Sequence, residues 1–337
     1  MAEIVLGIWT SHGPTLSTTP EQWLLRLPAD KTRTDHPFRC RTYDFDSLLD
    51  LRQGENLAAQ CSLTERQKRL AACQQAIAVL ADKFAEVSPD VAVIMGNDQR
   101  ELFLEEVMPA FTVFWGETIH NEPASPEQAA RMPPGIHEAE WGHNPPAPVD
   151  YPGLPELGLH IIRTLIGEEF DVAQSTRLPR HENHWSSGIP HAFGFIYRMI
   201  MRDRVIPNVP MITNTFFPPN QPTARRCFKM GQAVGRAIRS WETDRKVAVF
   251  GSGGMSHFVI DEDFDQMFFE AFRARDAETL MTIDERYFQS GTSELKNWIA
   301  AAGILFDSDL DGDVVDYQPC YRSPAGTGTA NGFVYWT

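Results

Sequence analysis

The stretch 91-VAVIMGNDQRELF-103 decides the fold: Val91, Val93 and Met95 belong to a short apolar run that Gly96, Asn97 and Asp98 end abruptly. An apolar run of this length bounded by turn residues reads as a buried strand. Beyond it stand Gln99 and Glu101, at the carboxyl end of a strand, where α/β proteins place their chemistry. An amide at that point is unexpected, because a metal ligand or an acid–base group would be more useful there.

Similar runs recur along the chain. Ile4–Trp9, Phe111–Trp115, Pro210–Phe216, Val247–Phe250 and Phe333–Trp336 read as further strands. Helical patterns lie between them. The clearest covers 63–85, where Leu70, Cys73, Ile77, Leu80 and Phe84 recur at steps of three and four, and Ser62 with Glu65 forms a capping box. Others are expected over 156–168, 191–202, 223–241, 263–273 and 293–302. Alternating strands and helices predict an α/β fold, a sheet covered by helices on both faces. Two segments lack clean periodicity: a polar insertion over 13–61, and a proline-rich loop or lid over 121–155. Neither a repeat nor a linker is evident, so 1–337 is expected to form a single catalytic domain.

Composition narrows the function. The 337 residues carry 45 acidic against 30 basic side chains, a net charge of −15, which argues against a nucleic-acid partner. No apolar run approaches the length that spans a bilayer, and the amino terminus lacks a secretory pattern, so a cytoplasmic protein is expected. Five cysteines at irregular spacing, without a CxxC pair, disfavour both a disulfide framework and a thiolate zinc site.

Four stretches carry candidate chemistry. In 10-TSHGP-14, His12 projects from a sharp turn at the end of the first strand. In 251-GSGGMSH-257, a glycine turn delivers His257; it is neither GxGxxG nor GxSxG. In 181-HENHWSSGIPH-191, three histidines fall within eleven residues, but HExH is too short to put both imidazoles on one helix face. In 290-SGTSELKNWIAAAG-303, Glu294 opens an amphipathic helix. Singly, each has a plain reading: a surface turn, a structural glycine turn, loop histidines, an acid at a helix start.

Together, and in this order, they resemble the class III extradiol ring-cleavage dioxygenases, the family of the protocatechuate 4,5-dioxygenase β chain. The resemblance covers nearly the whole chain; Arg226-Cys227 and 321-YRSPAGTGTANGFVYW-336 also match in kind. The overall shape is similar to the single-chain branch acting on gallate and 3-O-methylgallate. The resemblance implies an α/β fold with a central mixed sheet flanked by helices, Fe(II) as cofactor, and a catecholic acid and O2 as reactants. It also implies a homo-oligomer, expected as a dimer. It makes His12 and Glu294 iron ligands, His257 the acid–base group, and His184, in Asn183-His184, a substrate-facing histidine. The family's second strand ends in Asn-Asp-His, whose histidine completes the iron site; here the place reads Asn97-Asp98-Gln99. Three alternatives follow: Gln99 ligates through its oxygen, His36 from the insertion takes the position, or the metal is bound weakly, not at all, or by another arrangement such as Glu101. Arg225, Arg226 and Tyr321 are candidate partners for the substrate carboxylate. Two rival readings are a metal-dependent hydrolase-like enzyme and a non-enzymatic binding protein on the same fold.

Overall fold

A computed structural model describes residues 1–181 and 184–337. Four parallel strands form its centre: Glu3–Thr10, Lys246–Ser252, Val91–Asn97 and Asn208–Thr213, side by side in that order. Phe111–Phe114 runs antiparallel to Asn208–Thr213, and Ala173–Ser175 closes that edge. On the other side Thr327–Trp336 lies antiparallel to Glu3–Thr10 and pairs with both Gly312–Tyr321 and His257–Val259. The result is a mixed sheet of nine strands.

Strand side chains alternate between two cores, as the period of two requires. Leu6, Ile8, Ala92, Ile94, Ala248 and Phe250 face Cys73, Ile77, Leu80 and Phe84 of the helix Leu63–Val87. Val91, Val93, Met95, Val247 and Val249 face the helices Ala224–Ser240 and Leu295–Leu305. These two helices approach closely because Gly231 and Gly303 meet at their crossing. A Cβ at Gly303 would collide with the Phe228 carbonyl oxygen, and one at Gly231 with that of Ala300. Ser62 caps Leu63–Val87 by accepting from the Glu65 N–H at 3.3 Å, and Thr223 does the same for Arg226 at 3.2 Å.

The two segments expected to be irregular contain short elements. Residues 13–61 hold the hairpin His36–Phe38/Arg41–Tyr43 and the helix Phe45–Leu51, whose cap is Asp44. Within 121–155, Val149–Pro152 pairs with Thr118–Asn121, and Ser125 and Gln128 form a capping box on Pro126–Ala129. Elements of three to seven residues are too short to show a period. The strand Gly312–Tyr321 also escaped the sequence reading, because its acidic, proline-bearing run looks like loop. It forms as a half-exposed partner of Thr327–Trp336, a place where proline is tolerated. The helix expected from 293 begins at Leu295, after a 3-10 turn over Ser290–Glu294.

Candidate metal centre

Three neighbouring parallel strands end together, at Thr10, Ser252 and Asn97. Parallel alignment brings the residues just beyond them, His12, the 253–257 turn and Gln99, into one crevice. Glu294 enters from the 3-10 turn before Leu295 and is buried. Its Oε1 accepts from Gln99 Nε2 at 3.0 Å and from Asn97 Nδ2 at 3.4 Å; its Oε2 accepts from the Gly254 N–H at 3.0 Å. Asn97 is held in turn by Asn297, which donates to its Oδ1 at 2.9 Å.

The tautomer of His12 follows from its neighbours. Ser252 has one hydroxyl hydrogen, and its Oγ donates to the Ala192 carbonyl at 2.6 Å. Nδ1 of His12, 2.9 Å from that Oγ, must therefore be the donor. This leaves a lone pair on Nε2, which lies 3.2 Å from Glu294 Oε2 and is a buried atom without a hydrogen-bond partner among the described residues. A lone pair facing a carboxylate is repulsive unless a proton or a metal cation sits between them.

A second imidazole joins these groups. His191, the first residue of the helix His191–Phe195, packs edge-on against His12 with ring centroids 4.7 Å apart. Glu101 fixes it twice, accepting from Nδ1 and from the backbone N–H, both at 2.9 Å. One ligand atom each from His12, His191 and Glu294 all lie within 4.8 Å of one another. Two neutral imidazoles and a carboxylate on one side form the donor set that suits a divalent non-haem iron, so the residues fit the metal implied by the sequence resemblance.

Without a metal the charges differ from this set: Glu294 is ionised and His191 is protonated near neutral pH, so a metal binding here would displace the His191 proton. Burial opposes ionisation of Glu294, but the imidazoles of His12 and His257 outweigh it and keep the carboxyl well below its usual range. Burial holds His12 below its ordinary value despite Glu294. Burial also opposes a charge on His191, yet the Glu101 carboxylate beside it raises that ring to about 9.

His257 sits opposite. Its Nδ1 donates to the Met255 carbonyl at 2.7 Å, leaving Nε2 pointing to Glu294 Oε2 at 3.5 Å. The glycines around it are spatial necessities: a Cβ at Gly291 would overlap His257 Cδ2, and one at Gly254 would overlap Cε1. Ser256, next to it, is pinned by Asp265, which accepts from its N–H at 2.8 Å and its Oγ at 2.6 Å.

A cavity of about 490 Å³ opens over these groups. The insertion contributes Gly13, Thr15, Gln22, Trp23 and Arg26 among others to its walls, and the 121–155 segment contributes Arg131 and His143 among others. His12, Gln99, Glu101, His257 and Glu294 line it; His184 and His36 do not. His184 Nε2 is occupied by the Arg100 carbonyl at 2.7 Å, and Asn183 lies outside the described residues. His36 is buried against the Asp30 carbonyl at 2.8 Å. The three candidate carboxylate partners are elsewhere: Arg225 pairs with Glu278, Arg226 covers Phe170, and Tyr321 donates to Glu262. His191 was signalled only as one of three histidines in the stretch 181–191, without a role, and His143 not at all. Glu101 and His191 are 90 positions apart, and no local motif joins them.

The family model for the catalytic LigB subunit of aromatic ring-opening dioxygenase matches residues 64–331. Gallate dioxygenase of Pseudomonas putida is 30% identical over 205 residues, covering 57% of this chain and 56% of that protein. The 2,3-dihydroxyphenylpropionate/2,3-dihydroxicinnamic acid 1,2-dioxygenases of Photorhabdus laumondii and Comamonas testosteroni are 26% and 24% identical over 186 and 188 residues, each covering 55% of this chain and 48% and 49% of theirs. The chain thus spans about half the length of the curated relatives it matches.

Proposed function

From the premise that this chain belongs to the family of the catalytic LigB subunit of aromatic ring-opening dioxygenases, we propose that it opens the ring of a catecholic, gallate-like acid with O2, at a ferrous centre held by His12, His191 and Glu294. The observation that carries this reading is the orphaned Nε2 of His12 facing Glu294, with a His191 ligand atom within 4.8 Å of both. Fe(II) bound there would lower the pKa of adjacent substrate hydroxyls and provide the electron path that lets dioxygen react.

The chain's own residues do the rest. Glu101 orients His191 and fixes its Nδ1 as the donor, so that Nε2 faces the centre. Gln99 and Asn97 donate to Glu294 and hold the carboxylate in place; in this reading Gln99 supports a ligand and is not one itself. His257 has its Nδ1 committed to Met255, so its Nε2 takes the proton from a substrate hydroxyl and returns it later, a role imidazole suits near neutral pH. The insertion and the 121–155 segment wall the cavity and restrict water around the reacting ring. His184 takes no part, since its Nε2 is engaged by a backbone carbonyl.

The test is metal content and oxygen uptake together. Chain purified anaerobically and reconstituted with Fe(II) should hold about one iron per chain, by the one-site geometry. It should consume oxygen with gallate, 3-O-methylgallate or protocatechuate. His191→Ala and Glu294→Ala should lose the iron, whereas His36→Ala should keep it. Iron retention by His191→Ala would overturn the ligand set; absence of uptake with every substrate would overturn the reaction.

A further inference from the structure

Besides the groups at the centre, three guanidinium side chains line the cavity, those of Arg26, Arg131 and Arg322, against two carboxylates, Glu101 and Glu294. Both carboxylates are already engaged at the centre. Arg322 is neutralised where it stands: Nε and Nη2 donate to Asp30 at 2.5 and 2.9 Å, and Thr327 Oγ1 braces the same carboxylate at 2.7 Å.

Arg26 differs. It ends the 3-10 helix Gln22–Arg26, is half-buried, and lays its stem against Gly135, where a Cβ would stand 3.1 Å from Arg26 Cδ. No hydrogen bond or ion pair reaches its guanidinium among the described residues. Burial, and then the nearby charge of Arg322, push its pKa below the ordinary value, with Asp30 opposing. A guanidinium offers five donors and no acceptor, and leaving it desolvated beside a second cation is costly. The group that relieves this is a planar anion able to take two parallel N–H donors, which describes a carboxylate. The walls nearby include the aromatic faces of Trp23, Trp185 and Phe258, suited to a ring.

We propose that Arg26, flanked by the Asp30-held Arg322, is the anchor for an aromatic carboxylate in this cavity. That this anion is the substrate's own carboxylate rests on the ring-opening reading above. The anchor turns the opposite edge of the ring, with its hydroxyls, toward the centre and selects acids over neutral catechols.

Benzoate and benzamide separate the anchor from the reaction, since neither has hydroxyls to offer a metal. Titrated into the full chain without metal and followed by tryptophan fluorescence, benzoate should bind at least about tenfold more tightly than benzamide, the scale of one charge-assisted hydrogen bond. Arg26→Gln should abolish that preference and Arg26→Lys should keep part of it. Equal binding of the two probes to the unmodified chain, or no benzoate binding, overturns the proposal without recourse to a variant; so does a preference that survives Arg26→Gln. Oxygen uptake by the iron-loaded chain with protocatechuate and with catechol reports on the reaction independently. A benzoate preference without uptake supports the anchor and sinks the ring-opening reading; uptake without a benzoate preference does the reverse.

Discussion

Glu101 grips His191 by two hydrogen bonds of 2.9 Å, one from the ring Nδ1 and one from the backbone N–H. The carboxylate thereby sets both the ring's tautomer and its position at the start of its helix. In the proposed centre, Glu101 stands behind a ligand as a charged orienting group. Glu101→Gln should weaken Fe(II) binding by about 10–100-fold, the usual effect of removing such a partner. Competition with a chromophoric chelator reads this directly, and unchanged affinity would mean that His191 is not a ligand.

His257 and the glycines that make room for it predict a split between metal and turnover. His257→Ala should keep the iron and lower turnover by about 10²–10⁴-fold, as expected for a lost acid–base group. Gly291→Ala should behave alike, because its new methyl overlaps His257 Cδ2 and must displace the ring. Iron content beside initial rates tests both; a Gly291→Ala chain with full turnover would show that His257 need not stay where it is.

Acid should weaken the metal-free fold partly through His143. Burial holds this imidazole down to about 3, with His191 adding to the effect and Glu101 opposing it, against an ordinary value of 6.5. Between those two values the unfolded chain binds a proton that the folded chain refuses. Stability from this residue is therefore complete above 6.5 and falls as pH drops toward 3. His143→Gln, which cannot titrate, should flatten that slope in urea melts taken at successive pH values. An unaltered slope would assign the proton uptake to other groups.

The helix crossing at Gly231 and Gly303 predicts a stability effect away from the site. Gly303→Ala forces a methyl onto the Phe228 carbonyl and should cost about 1–3 kcal/mol, the range for overpacking. A urea midpoint equal to that of the unmodified chain would show that the helices can separate at no cost.

Local pattern was enough for much of this molecule. The run Val91–Met95 and its counterparts are buried strands because continuous apolar residues bounded by turn formers have few other stable states. The turns after them placed His12, Gln99 and His257 at one crevice, because parallel strands end together. The same logic overlooked Gly312–Tyr321, whose partner strand supplies the burial that its own polar sequence does not. It also read 13–61 only as a polar insertion, although that segment walls the cavity together with 121–155, the expected lid.

What the sequence determined by itself was the sheet, its main helices, and the side chains carried by short motifs at strand ends. Tertiary structure decided which imidazole stands beside His12, that Gln99 donates to Glu294, and which guanidinium faces the cavity unpaired among the described residues. The physical reason is range. A turn or a period is written in neighbouring residues, whereas the bond between Glu101 and His191 and that between Gln99 and Glu294 span 90 and 195 positions. Such bonds exist only once packing of the whole sheet has brought their elements together.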